Sequence, residues 1–493
     1  MIISPDKRDF STILNILGRL ILGLSLFMII PIVIALIKGE YSPFLDFLIG
    51  FTFSAGLGML LTLIFPMKKE AGWIHAFFTV SLGWLVFSLL GAIPLYLSAH
   101  FSSFIDAWFE AMSGFSTTGL TLIQNLDHLS ISHNMWRHLT MFIGGQGIIL
   151  ASLSILTKAR SVALGFYIGE ARQEKILPNV IDTARFIWKV SFVYLILGVI
   201  TFFTILYGQG LSGQRSFFHA LWLFFASFDT GGFTPQAQNI AYYHSFSLEI
   251  ATIVFMILGA INFNLHFWLW HKSKKEIFKN FEIRTFFFTV CSLSLILYFS
   301  LSKIGPDMFR KGFYQLISAH SGCGFTNLAG GELRHFPALG LLAIIFAMMI
   351  GGGICSTTGG IKLMRVGIVF KSFFMEIKRW MMPFRAVYKD RFHHLQSLVL
   401  SDKRMKEAYL FFFIFIFTYV AGAIVAMGFG YPASEALFES VSATANVGLS
   451  VGVTSPTMPI VLKLVYIFQM WAGRLEFISI FVSLGLVLSL FRK

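Results

Sequence analysis

The chain has 493 residues, 56% of them hydrophobic and only 13% charged, with a mean hydropathy of +0.75. Soluble domains carry about 25% charged residues, so this chain lacks the charge needed to clothe a water-facing surface. A net charge of +14 invites a nucleic-acid reading, but the placement of that charge argues against one.

Apolar runs of about 20 residues, the length that crosses a bilayer, recur from end to end. They predict spans near 12–37, 46–66, 74–97, 135–157, 190–208, 247–270, 285–302, 337–380, 408–429 and 458–491, the eighth of them interrupted. The first run is too long for a signal-peptide core and is followed by no small-residue cleavage site, so it is expected to remain as an anchor. With a cytoplasmic N-terminus, segments 1–11, 67–73, 158–189, 271–284, 362–407 and 492–493 face the cytoplasm and hold 28 of the 38 Lys and Arg. That is the positive-inside asymmetry, and it accounts for nearly all of the basic excess. Cys291, Cys323 and Cys355 lie in or near apolar sequence and suggest neither a disulfide framework nor a metal site.

Between certain spans lie segments too short to cross: Phe104–Thr118, Ser216–Gly231, Met308–Cys323 and Ala433–Val447. Each has the length of a re-entrant half-helix with its loop. Aligned on one glycine, they repeat. Gly119, Gly232, Gly324 and Gly448 are each followed by Leu or Phe and then by Thr or Ser. The anchors lie 113, 92 and 124 residues apart, and Glu110 and Glu439 stand nine residues before the first and the fourth. The next span of each unit carries its own small-residue step: Gly144-Gly145, Gly259-Ala260, Gly351-Gly352 and Ala472-Gly473.

The expected fold is therefore an all-α polytopic membrane protein. Four tandem span–pore-helix–loop–span repeats stand in a pseudo-fourfold arrangement, with two extra N-terminal spans. The units run 1–73 (the extra spans), 74–189, 190–284, 285–407 and 408–493.

Non-helical backbone at membrane depth is tolerated only where it is buried in protein or lines water. Glycine lets a loop turn its carbonyls toward an axis. Four such loops make a ring of oxygens that can replace a cation's hydration shell. Each half-helix also aims its negative C-terminal end at the same place. Candidate ion-binding residues are Thr117, Thr118 and Gly119; Thr230, Gly231 and Gly232; Gly322, Cys323 and Gly324; and Asn446, Val447 and Gly448. Hydroxyls of Thr121, Thr234 and Thr326 could add oxygens. Asp229 either strengthens cation attraction or caps local amides, while Glu110 and Glu439 bond amides behind the loops.

The segments Phe109–Gly119, Leu437–Ala443, Gly351–Lys362 and Ala472–Glu476 resemble the Trk/Ktr/HKT superfamily of potassium transporters. The likeness runs through all four repeats, and the two extra spans make it most similar to the bacterial TrkH-type subunit. The resemblance implies potassium uptake through a four-loop selectivity filter, since glycine at all four anchors accompanies potassium selectivity. It also implies a gate.

Five glycines between Gly351 and Gly360 cannot hold a regular helix well, each costing about 1 kcal/mol relative to Ala. In the family this loop obstructs the pore, which assigns a gate to Gly351, Gly352, Gly353, Ser356, Thr357, Thr358, Gly359 and Gly360. Arg474 aligns with a pore-facing arginine whose charge opposes cation passage; the competing reading pairs it with Glu476 or with loop carbonyls. Potassium ion is the expected bound species, with no organic cofactor.

The resemblance further implies a homodimer in the bacterial cytoplasmic (inner) membrane, both termini cytoplasmic, docked to a nucleotide-binding regulatory ring protein of the TrkA type. Sodium or mixed sodium/potassium transport is the alternative, channel-like or ion-coupled. An intramembrane enzyme is the reading from another class: Gly448-Leu-Ser-Val-Gly452 matches a nucleophile motif, but without the strand-to-helix turn that motif needs.

Overall fold

The computed structural model describes residues 6–69, 71–147, 180–272, 274–302, 305–383, 388 and 390–490. Helix dominates, as it must where lipid offers backbone groups no partner and each segment has to bond its own N–H and C=O.

Helices α1 (Lys7–Lys38) and α2 (Tyr41–Ile64) form an antiparallel pair ahead of the repeats. Glu40, in the turn between them, accepts from the Ile131 and Ser132 amides at 3.0 and 3.1 Å and from Ser132 Oγ at 2.6 Å, which fastens the pair to the first repeat.

The first repeat contains α3 (Trp73–Leu97), the half-helix α4 (Phe104–Phe115) and α5 (Ile131–Gln146). The second contains α6 (Val180–Gly208), the half-helix α7 (Gly213–Phe228), α8 (Phe246–Ala260) and α9 (Phe263–His271). After the short α10 (Glu276–Lys279), the third contains α11 (Phe281–Leu301), the half-helix α12 (Pro306–His320), α13 (Ala338–Ile350) and α14 (Leu363–Trp380). A small antiparallel hairpin follows, β1 (Arg391–His394) with β2 (Gln396–Val399). The fourth contains α15 (Asp402–Gly428), the half-helix α16 (Ala433–Ala445), α17 (Ile460–Arg474) and α18 (Ile478–Leu490).

Among the described residues, six helices are long and apolar enough to cross a membrane, or eight if each bent pair counts as one span. The bends depart from expectation. The sixth and tenth apolar runs read as unbroken, yet α8 and α9 meet at 97° and α17 and α18 at 108°. Asn262 causes the first break by capping α9 with its own side chain, an Asx habit that competes with helix. At the second, Glu476 and Phe477 adopt φ of 48° and 63°. The hairpin is a second departure from an all-helical chain. The end of the fourth predicted span and most of segment 158–189 lie outside the described residues.

The half-helices reach the centre because the following spans let them. A Cβ built on Gly144, Gly259 or Gly473 would lie 1.9, 1.9 or 2.0 Å from the carbonyl oxygen of Phe115, Phe228 or Thr444. Each of those carbonyls belongs to the residue four before its repeat's anchor glycine. In the fourth repeat the matching residue is thus Gly473 rather than Ala472, so Arg474 stands where the first repeat has Gly145.

Candidate functional site

The four anchor glycines close a ring. A Cβ on Gly119 would lie 2.3 Å from the carbonyl oxygen of Gly231, one on Gly232 2.0 Å from that of Cys323, one on Gly324 1.9 Å from that of Val447, and one on Gly448 2.2 Å from that of Thr118. Each loop therefore rests its glycine on the next loop's carbonyl, and the fourth returns to the first. Their φ angles are 90°, 73°, 85° and 91°, where a side chain is strained whatever the space.

A second left-handed position recurs two residues earlier, at Thr117, Thr230, Gly322 and Asn446, with φ of 53°, 52°, 72° and 54°. Left-handed β-branched residues are outliers and gather at functional sites.

Behind the ring, Glu110 accepts from Thr121 Oγ1 at 2.9 Å and from the Leu122 amide at 3.0 Å. Glu439 repeats this with Ser450 Oγ at 2.6 Å and the Val451 amide at 3.0 Å, and adds the Thr454 amide at 2.8 Å. Ser450, the centre of the nucleophile-like motif, is thus a brace. The third repeat has Gln315 there, donating to Asn327 Oδ1 at 3.0 Å, and the second has Leu223. The hydroxyls of Thr121 and Thr234 serve their own loops, the latter donating to Gln236 O at 3.0 Å, and Thr326 Oγ1 accepts from the Leu328 amide.

Arg474 and the Gly351–Gly360 loop lie against the ring. Arg474 donates to Thr117 Oγ1 at 3.2 Å, Thr357 O at 2.7 Å and Gly144 O at 2.6 Å. Thr357, at the tip of the Gly351–Gly360 loop, places its hydroxyl 3.1 Å from Thr230 Oγ1, Phe228 O and Gly259 O. Inside the loop Ser356 Oγ donates to Gly353 O at 2.6 Å, and Thr358 Oγ1 accepts from the Gly352 amide at 3.1 Å. A Cβ on Gly359 would lie 2.1 Å from Ala445 O, at the end of the fourth half-helix. Of the two partners expected for Arg474 as an alternative to a pore-facing charge, loop carbonyls are present; Glu476 instead holds Arg365.

A model of the TrkH family, described as cation transport protein, matches residues 45–488. The chain belongs to that family. An uncharacterized cation transporter of Methanocaldococcus jannaschii is 34% identical over 97% of this chain and 95% of its own length. The Trk system potassium uptake protein TrkG of Escherichia coli is 27% identical over 94% of this chain and 96% of its own. The crystal structure of the potassium transporter TrkH from Vibrio parahaemolyticus is similar in fold, with a TM-score of 0.82 at 25% identity, covering 96% of this chain and 98% of that one.

Asp229 is buried at the end of the second half-helix. Its Oδ1 accepts from Gln146 Nε2 at 2.7 Å, and Gln146 in turn accepts from Ser191 Oγ at 2.7 Å, so the carboxylate ties the second loop to α5 and α6. Several residues at the site escaped sequence reasoning. Arg137 donates to Glu110 at 2.9 and 2.7 Å and stacks over Phe233 at 4.2 Å, joining the first loop to the second. Asn446, itself a candidate from sequence, donates to Thr118 Oγ1 at 2.9 Å and so joins the fourth loop to the first. Lys362 bonds Thr358 O at the base of the interrupted loop. A buried Arg within an apolar run was the available signal for Arg137, since such residues mark sites or pairs by default.

Proposed function

We propose that this chain takes up potassium ions across the cytoplasmic membrane through the four-loop ring acting as a selectivity filter. The observation that carries the reading is the closed ring, each anchor glycine lying against the carbonyl of the residue before the next anchor. Carbonyl oxygens from Thr118, Gly231, Cys323 and Val447 offer a cation the ligands that water would otherwise supply. Four half-helices aim their negative ends at the same axis, so no carboxylate has to line it. Potassium is the substrate rather than a resident cofactor, and the chain is a transporter rather than an enzyme. Relatives named as potassium uptake proteins support the choice of ion.

The gate in this reading is the Gly351–Gly360 loop together with Arg474. The guanidinium opposes cation charge, and its bonds to Thr357 O and Thr117 Oγ1 hold the loop tip against the ring. Opening has to break those bonds and those of Thr357. The Arg474 side of the ring faces the cytoplasm, as the Lys and Arg bias of the connecting segments requires with both termini inside. A homodimer docked to a cytoplasmic nucleotide-binding ring protein completes the assembly.

Rubidium uptake into proteoliposomes of purified protein tests the function. Uptake should be inhibited by potassium and little by sodium; equal inhibition by both would replace potassium uptake with mixed transport.

A further inference from the structure

Glu282 lies in the first turn of α11, its amide capped by Asn280 Oδ1 at 2.9 Å, and its side chain is buried far from the ring. One carboxylate oxygen accepts from the Ile354 amide of the interrupted loop at 2.6 Å. The other accepts from Asn262 Nδ2 at 3.1 Å, at the bend between α8 and α9. Backbone bonds sew the same seam: Gly353 N to Ala260 O at 2.9 Å, Phe263 N to Cys355 O at 3.1 Å and Thr357 N to Gly259 O at 3.3 Å. Through its two carboxylate oxygens Glu282 bridges the loop and the bend.

The β1–β2 hairpin rests on the back of it. His394 Nδ1 stands 4.0 Å from the Glu282 carboxylate, and Phe392 packs on Phe281 at 4.9 Å. A second anchor holds the hairpin to the connecting segment: His393 Nε2 lies 3.0 Å from both Glu276 oxygens, and the Leu395 amide donates to one of them at 3.1 Å. Arg391, Gln396, Ser397 and Val399 remain exposed on the hairpin. The hairpin backs the clamp through His394 and Phe392.

We propose that Glu282 is a positioning residue that locks the Gly351–Gly360 loop to the bend at Asn262, and that the Arg391–Val399 hairpin braces this clamp through His394. The proposal rests on the reading of that loop as the gate. A release at Glu282 frees the first half of the loop, while Arg474 and Thr357 still hold its tip. Both clamps stabilise the closed loop, so weakening either shifts it toward opening and raises flux.

Rubidium flux into proteoliposomes, with no partner added, tests this in Glu282→Gln, in His394→Ala, and in Glu282→Gln combined with Asn262→Asp. Glu282→Gln should raise flux about fivefold or more, the lower end of usual coupling between sites, with the rubidium-to-sodium ratio unchanged. His394→Ala should raise it less. The combined swap restores a charge-assisted bond across the same gap and should return flux toward the starting value, which a merely structural role would not predict. Flux at or below the starting value in Glu282→Gln, with its melting temperature unchanged, overturns the proposal, as does a swap that fails to restore it. Should Glu282→Gln fold poorly, Asn262→Ala cuts the same bond from the other side and is read in the same way. Arg474→Ala separates the two failures. If it raises flux and the Glu282 and Asn262 variants do not, only this inference falls; if none does, the gate reading falls with it.

Discussion

Thr117, Thr230 and Asn446 hold left-handed backbone at matching places in the first, second and fourth loops, and Gly322 does so in the third. Only the last advertises it, because glycine alone announces a left-handed position in a sequence. The anchor glycines were legible for that reason, and the second register was not. The buried ion pairs were equally hidden. Arg137 meets Glu110 across 27 residues of sequence and Lys463 meets Asp106 across 357, so no local pattern can couple them. Breaking a buried pair leaves an uncompensated charge and costs about 3–5 kcal/mol. Arg137→Met should accordingly lower the melting temperature of the purified protein sharply, and adding Glu110→Gln should recover part of the loss. A flat response to Arg137→Met would mean that the pair is not what braces the first loop.

The helices that mattered for the site were those that break. The glycine run made the third repeat's interruption plain, whereas the breaks at Asn262 and at Leu475–Phe477 sit in apolar stretches whose hydropathy is continuous. Hydropathy measures what lipid tolerates, and a cap or a left-handed pair inside a buried span does not alter it. The interrupted loop is tied at its tip by Arg474 and Thr357. Thr357→Val removes the hydroxyl that contacts Thr230, Phe228 and Gly259 while keeping the side chain's volume. It should raise partner-free rubidium flux, and Arg474→Ala should raise it further because the charge is lost along with its bonds to Thr117, Thr357 and Gly144. Unchanged flux in both would remove the loop from gating.

Closure of four repeats depends on contacts between units as well as on the ring. Lys463 and Asp106 join the fourth repeat to the first at 2.5 Å and are buried, whereas Arg334 and Glu435 join the third to the fourth at 2.7 Å with the arginine half exposed. Exposed pairs contribute about 0.2–1 kcal/mol, well short of a buried one. Lys463→Met should therefore destabilise the protein far more than Arg334→Met, measured as melting temperature in one detergent. Equal effects would mean that the repeats are held by packing alone. The fourfold plan itself was readable, because glycine spacing and span order repeat along the chain. Which repeat touches which, and through what charges, emerges only when the ring closes.

The central claim is that the ring selects the ion. The measurement is the rubidium-to-sodium flux ratio in proteoliposomes for Gly119→Ser, Gly232→Ser, Gly324→Ser and Gly448→Ser, each alone. A Cβ at any of these positions would lie within 2.3 Å of the next loop's carbonyl oxygen, so each substitution has to displace one ligand of the ring. The account predicts a lower ratio in all four. Rubidium flux that persists at the original ratio in every variant would contradict it.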